Sequence, residues 1–334
     1  MRIRENMRIE FGSHALVLDH PGPNGEPVFI SHAHSDHAVR KGRIIATPET
    51  ARLLEVRYNA NSAEVLPCRK RIEIEGMNVT LYPSGHILGS AQILVETSQT
   101  SLLYSGDIKL RPGYSAEPIE VPQAENLIVE ATFGSHMFQW PRRETIEERI
   151  AEFAEDGKRF GFTACYMAYS LGKAQELLMV LAKAGIRAYV SESVFEMCKV
   201  YEEFGVRFGD YRLYKDEAEI DGVLVIPPQK AHHLNLSGTK RGPHENAQYS
   251  HGVKFALVSG WALTERRGEV PGIPLSDHAD FGELLRYVDK VKPQKVWTTH
   301  GYARDLASAL RHRGYNAQVL PERDKERQLE LVVG

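Results

Sequence analysis

Within positions 32–37 stand four side chains able to bind metal: His32, His34, Asp36 and His37. They follow Val28-Phe29-Ile30, an apolar run that reads as a strand ending in a loop. This HxHxDH spacing brings imidazoles and a carboxylate close enough to bind two adjacent cations. Nitrogen and oxygen donors suit zinc, manganese or iron, and the lack of cysteine in the motif argues against a sealed structural zinc site.

Three further donors each lie where a predicted strand ends. His86 sits in the glycine-flanked loop Gly85-His86-Ile87-Leu88-Gly89-Ser90, where backbone can approach an ion closely. Asp107 closes the apolar run Leu102-Leu103-Tyr104-Ser105-Gly106 and is placed to bridge two cations. His300 follows Val296-Trp297-Thr298-Thr299 in the same way. Each alone reads as well as a turn residue. Together with the first motif they make seven ligands, enough for a dinuclear centre.

The elements that must position these donors fall into two kinds. Up to about residue 140 the chain is strand-rich. Alternating or β-branched residues run over 8–19, 27–31, 42–46, 71–83, 91–97 and 101–105, and a helix with proline in its first turn spans 48–56. From about 141, helices (144–155, 172–184, 194–204) alternate with buried strands (161–168, 186–191, 222–227, 253–259), which implies a compact parallel α/β unit. A helix (281–291), a strand (295–299), a helix (303–313) and a last strand (317–321) follow. Residues 227–249, rich in His, Gly, Pro and Lys, read as a long exposed loop.

Composition sets outer bounds. With 334 residues, 42% apolar and 25% charged, the chain is globular and long enough for one large domain or two ordinary ones. The first residues carry no apolar signal core, and no apolar run approaches the about 20 residues of a membrane span. Three scattered cysteines (Cys68, Cys165, Cys198) fit free thiols, so a cytoplasmic protein without membrane contact is expected. A net charge of −3 does not announce a nucleic-acid binder, but a phosphate groove needs only local cations.

The series HxHxDH, GHxLGSA, SGD and a late THG resembles the metallo-β-lactamase fold. The resemblance implies an αββα sandwich with a dinuclear site at one edge of its sheets. His32, His34 and His86 would hold one divalent ion and Asp36, His37 and His300 the other, with Asp107 between them. Zinc, manganese or both would fill the two sites. Asp19, in Val17-Leu18-Asp19, matches an early family aspartate that orients a ligand; its other reading is a turn residue before Pro21-Gly22.

Two more elements resemble the β-CASP nucleases: Glu130, ending Ile128-Val129-Glu130, and His278, in Ser276-Asp277-His278-Ala279-Asp280. The α/β segment between them corresponds to the inserted β-CASP domain. The expected division is therefore 1–140 with 271–334 for the metallo-β-lactamase domain, and 141–270 for the insertion. His278, hydrogen-bonded to Glu130, would serve as general acid or as a phosphate-binding donor, beside Asp107.

In the insertion, Ser170-Leu171-Gly172-Lys173 opens a helix, either as a phosphate seat using Ser170 and Lys173 or as an ordinary cap. Trp261 would stack on a base or simply be buried, and Arg266 would line a backbone groove or only be solvated. Over nearly the whole chain the motifs look like those of bacterial DNA-ligase-associated exonucleases. That implies a nuclease acting on single-stranded DNA in repair, beside a ligase and a helicase. Histidine at 300 is the choice of RNA-processing members, so RNA remains the alternative substrate. A small-molecule metallo-hydrolase is the remote one.

Overall fold

In the computed structural model, residues 1–4, 7–23, 25–60, 63–215, 220–233, 252–264 and 270–320 are described. The chain divides into two compact units, residues 1–139 with 278–334 and residues 140–277.

The first unit opens with a six-stranded sheet of β1 (Arg2–Ile3), β2 (Arg8–Phe11), β3 (His14–Leu18), β4 (Pro27–Phe29), β5 (Arg43–Ala46) and β6 (Glu64–Val65), paired in sequence order. The run 8–19 is thus a hairpin turning at Gly12, with Phe11 opposite His14. Helix α1 (Pro48–Tyr58) starts where Thr47 Oγ1 accepts from the Thr50 amide at 3.2 Å.

The second sheet begins with β7 (Arg71–Ile74), β8 (Met77–Pro83), β9 (Ala91–Glu96), β10 (Ser101–Tyr104) and β11 (Asn126–Glu130). β7 to β10 are antiparallel, and β7 turns into β8 through Glu75 and Gly76, both at positive φ.

Among its described residues the inserted unit has six strands, all paired in parallel. It runs α2 (Arg143–Phe160), β12 (Thr163–Met167), α3 (Lys173–Lys183), β13 (Ala188–Val190), α4 (Glu192–Glu203), β14 (Tyr211–Leu213), β15 (Val223–Ile226), β16 (Val253–Val258) and β17 (Gly272–Ile273). The strand order is β14-β13-β15-β12-β16-β17. Strand β12, central in the order, buries Ala164 to Met167 without alternation, as a parallel strand covered on both faces must. The division at 277/278 falls seven residues after the expected boundary at 270/271. Gly272 and Ile273 pair with Leu257 and Val258, which keeps that stretch in the insertion.

The chain then returns to the first unit with α5 (Phe281–Val291), β18 (Lys295–Thr299), α6 (Ala303–His312) and β19 (Asn316–Val319). β18 and β19 extend the second sheet beyond β11 in parallel, giving the order β19-β18-β11-β10-β9-β8-β7.

Side chains of the second sheet alternate between two cores. Ile93, Val95, Leu102, Tyr104 and Ile128 pack with Leu16, Leu18, Phe29 and Ile45 of the first sheet. Leu94, Leu103, Leu127 and Val129 pack with Leu284, Val288, Leu306 and Leu310 of α5 and α6. The period of two places both sets, so one sheet fills two apolar layers. This is the two-sheet sandwich with outer helices, carrying an α/β insertion, that the motifs implied. Among the described residues no helix is long and apolar enough to cross a membrane.

Candidate metal centre

Every donor of the centre comes from a loop that follows a strand of the first unit. After β4, the Ile30 amide still bonds Ile45 O, and then the chain turns. The amides of His37 and Ala38 return to His34 O at 3.2 and 2.9 Å, which folds the HxHxDH segment onto itself. Its rings converge, with His32 and His37 centroids 4.2 Å apart and His32 and His34 4.8 Å apart.

The β8–β9 loop brings His86 to 4.7 Å from His32 and 5.0 Å from His34, centroid to centroid. Gly85 has φ of +79°, and a β-carbon there would meet Lys109 O at 2.3 Å, so only glycine lets this loop close. Beyond β10, Gly106 (φ +54°) packs on Ser31, where a β-carbon would stand 2.7 Å from Ser31 Cβ. That contact seats the Asp107 loop beside the histidine segment.

His32, His34, His86 and Asp107 each offer a ligand atom within 4.8 Å of the others. His34 Nδ1 is 3.1 Å from both His32 Nε2 and His86 Nε2. An imidazole nitrogen has one proton or one lone pair, so it makes at most one strong bond of this kind. A cation within the triangle takes all three lone pairs. Tetrahedral zinc with nitrogen at about 2.0 Å sets its donors about 3.3 Å apart, close to what is seen. The donor set therefore fits a divalent metal ion.

Asp107 Oδ2 lies 3.4 Å from His32 Nε2, 3.7 Å from His86 Nε2, 3.6 Å from His37 Nε2 and 4.0 Å from His278 Nε2. These separations exceed hydrogen bonds and suit donors gathered around shared cations.

The other donors are looser. Asp36 is 75% exposed, and its Oδ2 lies 3.9 Å from His37 Nε2. The His300 ring is centred 5.4 Å from that of His37. His300 sits at φ +61° and Asp19 at +48°, a sparsely populated backbone region for residues other than glycine.

Asp19 collects four donors. Its Oδ1 accepts from the Ser31 amide at 2.6 Å; its Oδ2 accepts from Ser31 Oγ at 2.5 Å, Tyr104 Oη at 2.8 Å and His37 Nδ1 at 2.8 Å. With Nδ1–H given to Asp19, His37 presents the Nε2 lone pair to the centre. Ser31 Oγ also lies 2.9 Å from His32 Nδ1. Ser31 and Tyr104 were not anticipated as supports. Their signal was a hydroxyl directly before the HxH and another ending an apolar strand.

The electrostatics call for positive charge. Burial disfavours a charged His37, yet Asp107 and Asp19 push its pKa up to about 10. Burial and the surrounding histidines hold His32 well below its ordinary value, in the neutral, ligating form. Burial likewise raises the Asp107 carboxyl.

A second carboxylate–imidazole pair faces the same aspartate. His278 Nδ1 is 3.2 and 3.3 Å from the two oxygens of Glu130. Glu130 also accepts the Ile108 amide at 2.7 Å and the Thr132 amide at 3.3 Å. Burial works against the charged Glu130, but His278 and these amides keep its carboxyl below the usual range.

The residues expected to touch substrate lie in the inserted unit. Ser170 is half-buried, and its carbonyl accepts from Gln175. The Lys173 ammonium is buried and ion-paired with Asp277, so its charge is already engaged. Trp261 is half-buried in a 3₁₀ turn, Gly260–Leu263. Arg266 lies outside the described residues.

The chain is similar to several known proteins. A family described as RMMBL, the Zn-dependent metallo-hydrolase RNA specificity domain, matches residues 265–321. A probable DNA ligase of Opitutus terrae is 39% identical over 91% of this chain, which spans 29% of that protein. An RNase J-like protein of Methanocaldococcus jannaschii is 24% identical over 83% of the chain and 81% of its own length. The DNA cross-link repair protein SNM1 of Arabidopsis thaliana is 23% identical over 81% of the chain and 60% of its own length. The matched domain and these relatives support the metallo-β-lactamase β-CASP nuclease family for this chain.

Proposed function

We propose that the protein is a metal-dependent nuclease that hydrolyses phosphodiester bonds, preferentially in single-stranded DNA during repair in the cytoplasm. The carrying observation is that one aspartate, Asp107, faces both the histidine cluster and the His278–Glu130 pair. In this reading His32, His34 and His86 hold one divalent ion, Asp36, His37 and His300 hold a second, and Asp107 serves both. Zinc or manganese bound there supplies Lewis acidity at the phosphoryl group and an activated water.

The chain's own residues then manage the leaving group. With Nδ1–H given to Glu130, a proton on His278 Nε2 makes the ring an imidazolium whose charge the buried carboxylate balances. That proton is available to the departing oxygen. Asp19 and Tyr104 keep His37 in its ligating tautomer throughout.

The preference for DNA is supported by the 39% identity to part of a probable DNA ligase, and by likeness to a DNA cross-link repair protein. A ligase and a helicase are the partners this reading supplies. RNA is the second reading, favoured by the RNA specificity domain at 265–321 and by the RNase J-like relative. End-labelled single-stranded DNA and RNA of matched sequence, incubated with Mn²⁺, Zn²⁺ or EDTA, test both. Metal-dependent cleavage of DNA over RNA is expected. Faster RNA cleavage would move the assignment to RNA processing, and no cleavage of either strand would end the nuclease reading.

A further inference from the structure

Lys173 occupies a position that local rules disfavour. It is the first residue of α3, where the helix dipole repels a cation, and it is 7% exposed, where burial penalises charge. Its ammonium bonds Asp277 Oδ1, itself in a residue 3% exposed and 104 positions away in sequence. A buried ion pair is a poor source of stability, since apolar residues of similar volume often do as well or better. A pair kept against propensity, burial and sequence distance points to a positioning role.

Asp277 is joined by one peptide bond to His278. Residues 274–280 form neither helix nor strand, so that backbone needs other anchors. On the C-terminal side the Ala279 amide bonds Ile108 O at 2.6 Å, and Asp280 caps α5 through the Glu283 amide at 2.8 Å. Ile108 in turn gives its amide to Glu130, the partner of His278. On the N-terminal side the Leu275 amide bonds Ile273 O at 2.8 Å, and the Asp277 side chain is held by Lys173. The first turn of α3 is itself fixed, because Gln175 Oε1 accepts the Gly172 amide at 2.7 Å and its Nε2 donates to Ser170 O at 3.1 Å.

We infer that the Lys173–Asp277 ion pair is a positioning device that sets the backbone of His278, so that its Nδ1 meets Glu130 and its Nε2 meets the leaving oxygen. Lys173 is thus a positioning residue rather than a phosphate ligand. The inference rests on the reading of His278 as proton donor.

The test uses the full chain loaded with Zn²⁺ or Mn²⁺, and bis-p-nitrophenyl phosphate, a diester too small to need a groove. Lys173→Met should lower kcat on the order of 10- to 100-fold through misplacement, with KM within about twofold and metal content unchanged. Lys173→Arg should restore most of the rate. In the ¹⁵N-labelled zinc form, Lys173→Met should also shift the His278 imidazole resonances, a readout that needs no turnover. A folded Lys173→Met protein with wild-type kcat and unshifted His278 resonances overturns the inference. If that variant does not fold, the same measurements on Lys173→Met/Asp277→Leu decide, since no charge is left stranded. Should the wild type hydrolyse no diester, the nuclease reading fails, and the imidazole resonances alone judge the ion pair.

Discussion

Two carboxylate–imidazole pairs face the same Asp107 oxygen, and they differ in how firmly the ring is held. Asp19 takes His37 Nδ1 at 2.8 Å, with Ser31 and Tyr104 filling its remaining capacity, and the His37 side chain is 3% exposed. Glu130 takes His278 Nδ1 at 3.2 Å, and the His278 side chain is 12% exposed. A ligand needs its Nε2 lone pair kept in one place, and the short, crowded pair does that. A proton donor needs access to substrate and tolerance of an added charge, which the longer, more open pair allows. In the proposed function the same device would perform two jobs, separated by burial and by the number of donors on the carboxylate.

Replacing the residue both pairs share has the largest expected effect. Asp107→Ala should leave no measurable turnover and bind less metal, as read by plasma mass spectrometry of the purified protein. Retained activity would mean that Asp107 is not the junction of the two pairs. His278→Ala comes next, lowering kcat on the order of 10²- to 10⁴-fold while metal content stays at the wild-type level. Loss of metal in that variant would make His278 a ligand and erase the distinction between the pairs.

Asp19→Asn should weaken metal affinity about 10- to 100-fold, with turnover recovering in excess metal; a chelator titration measures it. Tyr104→Phe removes one of the four donors to Asp19, and should cost about 1 kcal/mol in the same titration. Equal effects of these two changes would show that the hydroxyl, not the carboxylate, sets the orientation.

The smallest effect concerns acid stability of the metal-stripped protein. Glu130 is held below its ordinary pKa. Its contribution is therefore complete above the usual carboxylate range and is lost as pH falls through the folded value. Glu130→Gln should flatten this acid limb in thermal melts taken across that range. An unchanged slope would mean that Glu130 adds no pH-linked stability.

Much of this is legible in the sequence. Helix 281–291 and strand 295–299 appear as expected, because apolar periodicity and the Asp280 cap mark them locally. Strand β14 was not expected: Tyr211-Arg212-Leu213 is a half-exposed edge with little apolar signal. The sequence around Lys173 displays only its helix-opening context, which reads as a phosphate seat or as an ordinary cap. The counterion lies more than a hundred residues downstream, and no local pattern announces it.

The sequence by itself determined the donor types, their clustering in HxHxDH, and the strand ends that present His86, Asp107 and His300. These are local properties, set by spacing and by the period of the flanking strands. Only the tertiary structure decided that His34 stands 3.1 Å from two other imidazoles, that Asp36 lies 3.9 Å from His37 Nε2, and that the His300 ring is centred 5.4 Å from that of His37. It also decided that Asp19, Ser31 and Tyr104 act as one support, and that Lys173 spends its charge on Asp277. Hydrogen bonds and ion pairs depend on distance and angle between atoms remote in the chain, and sheet packing, not spacing, sets those distances.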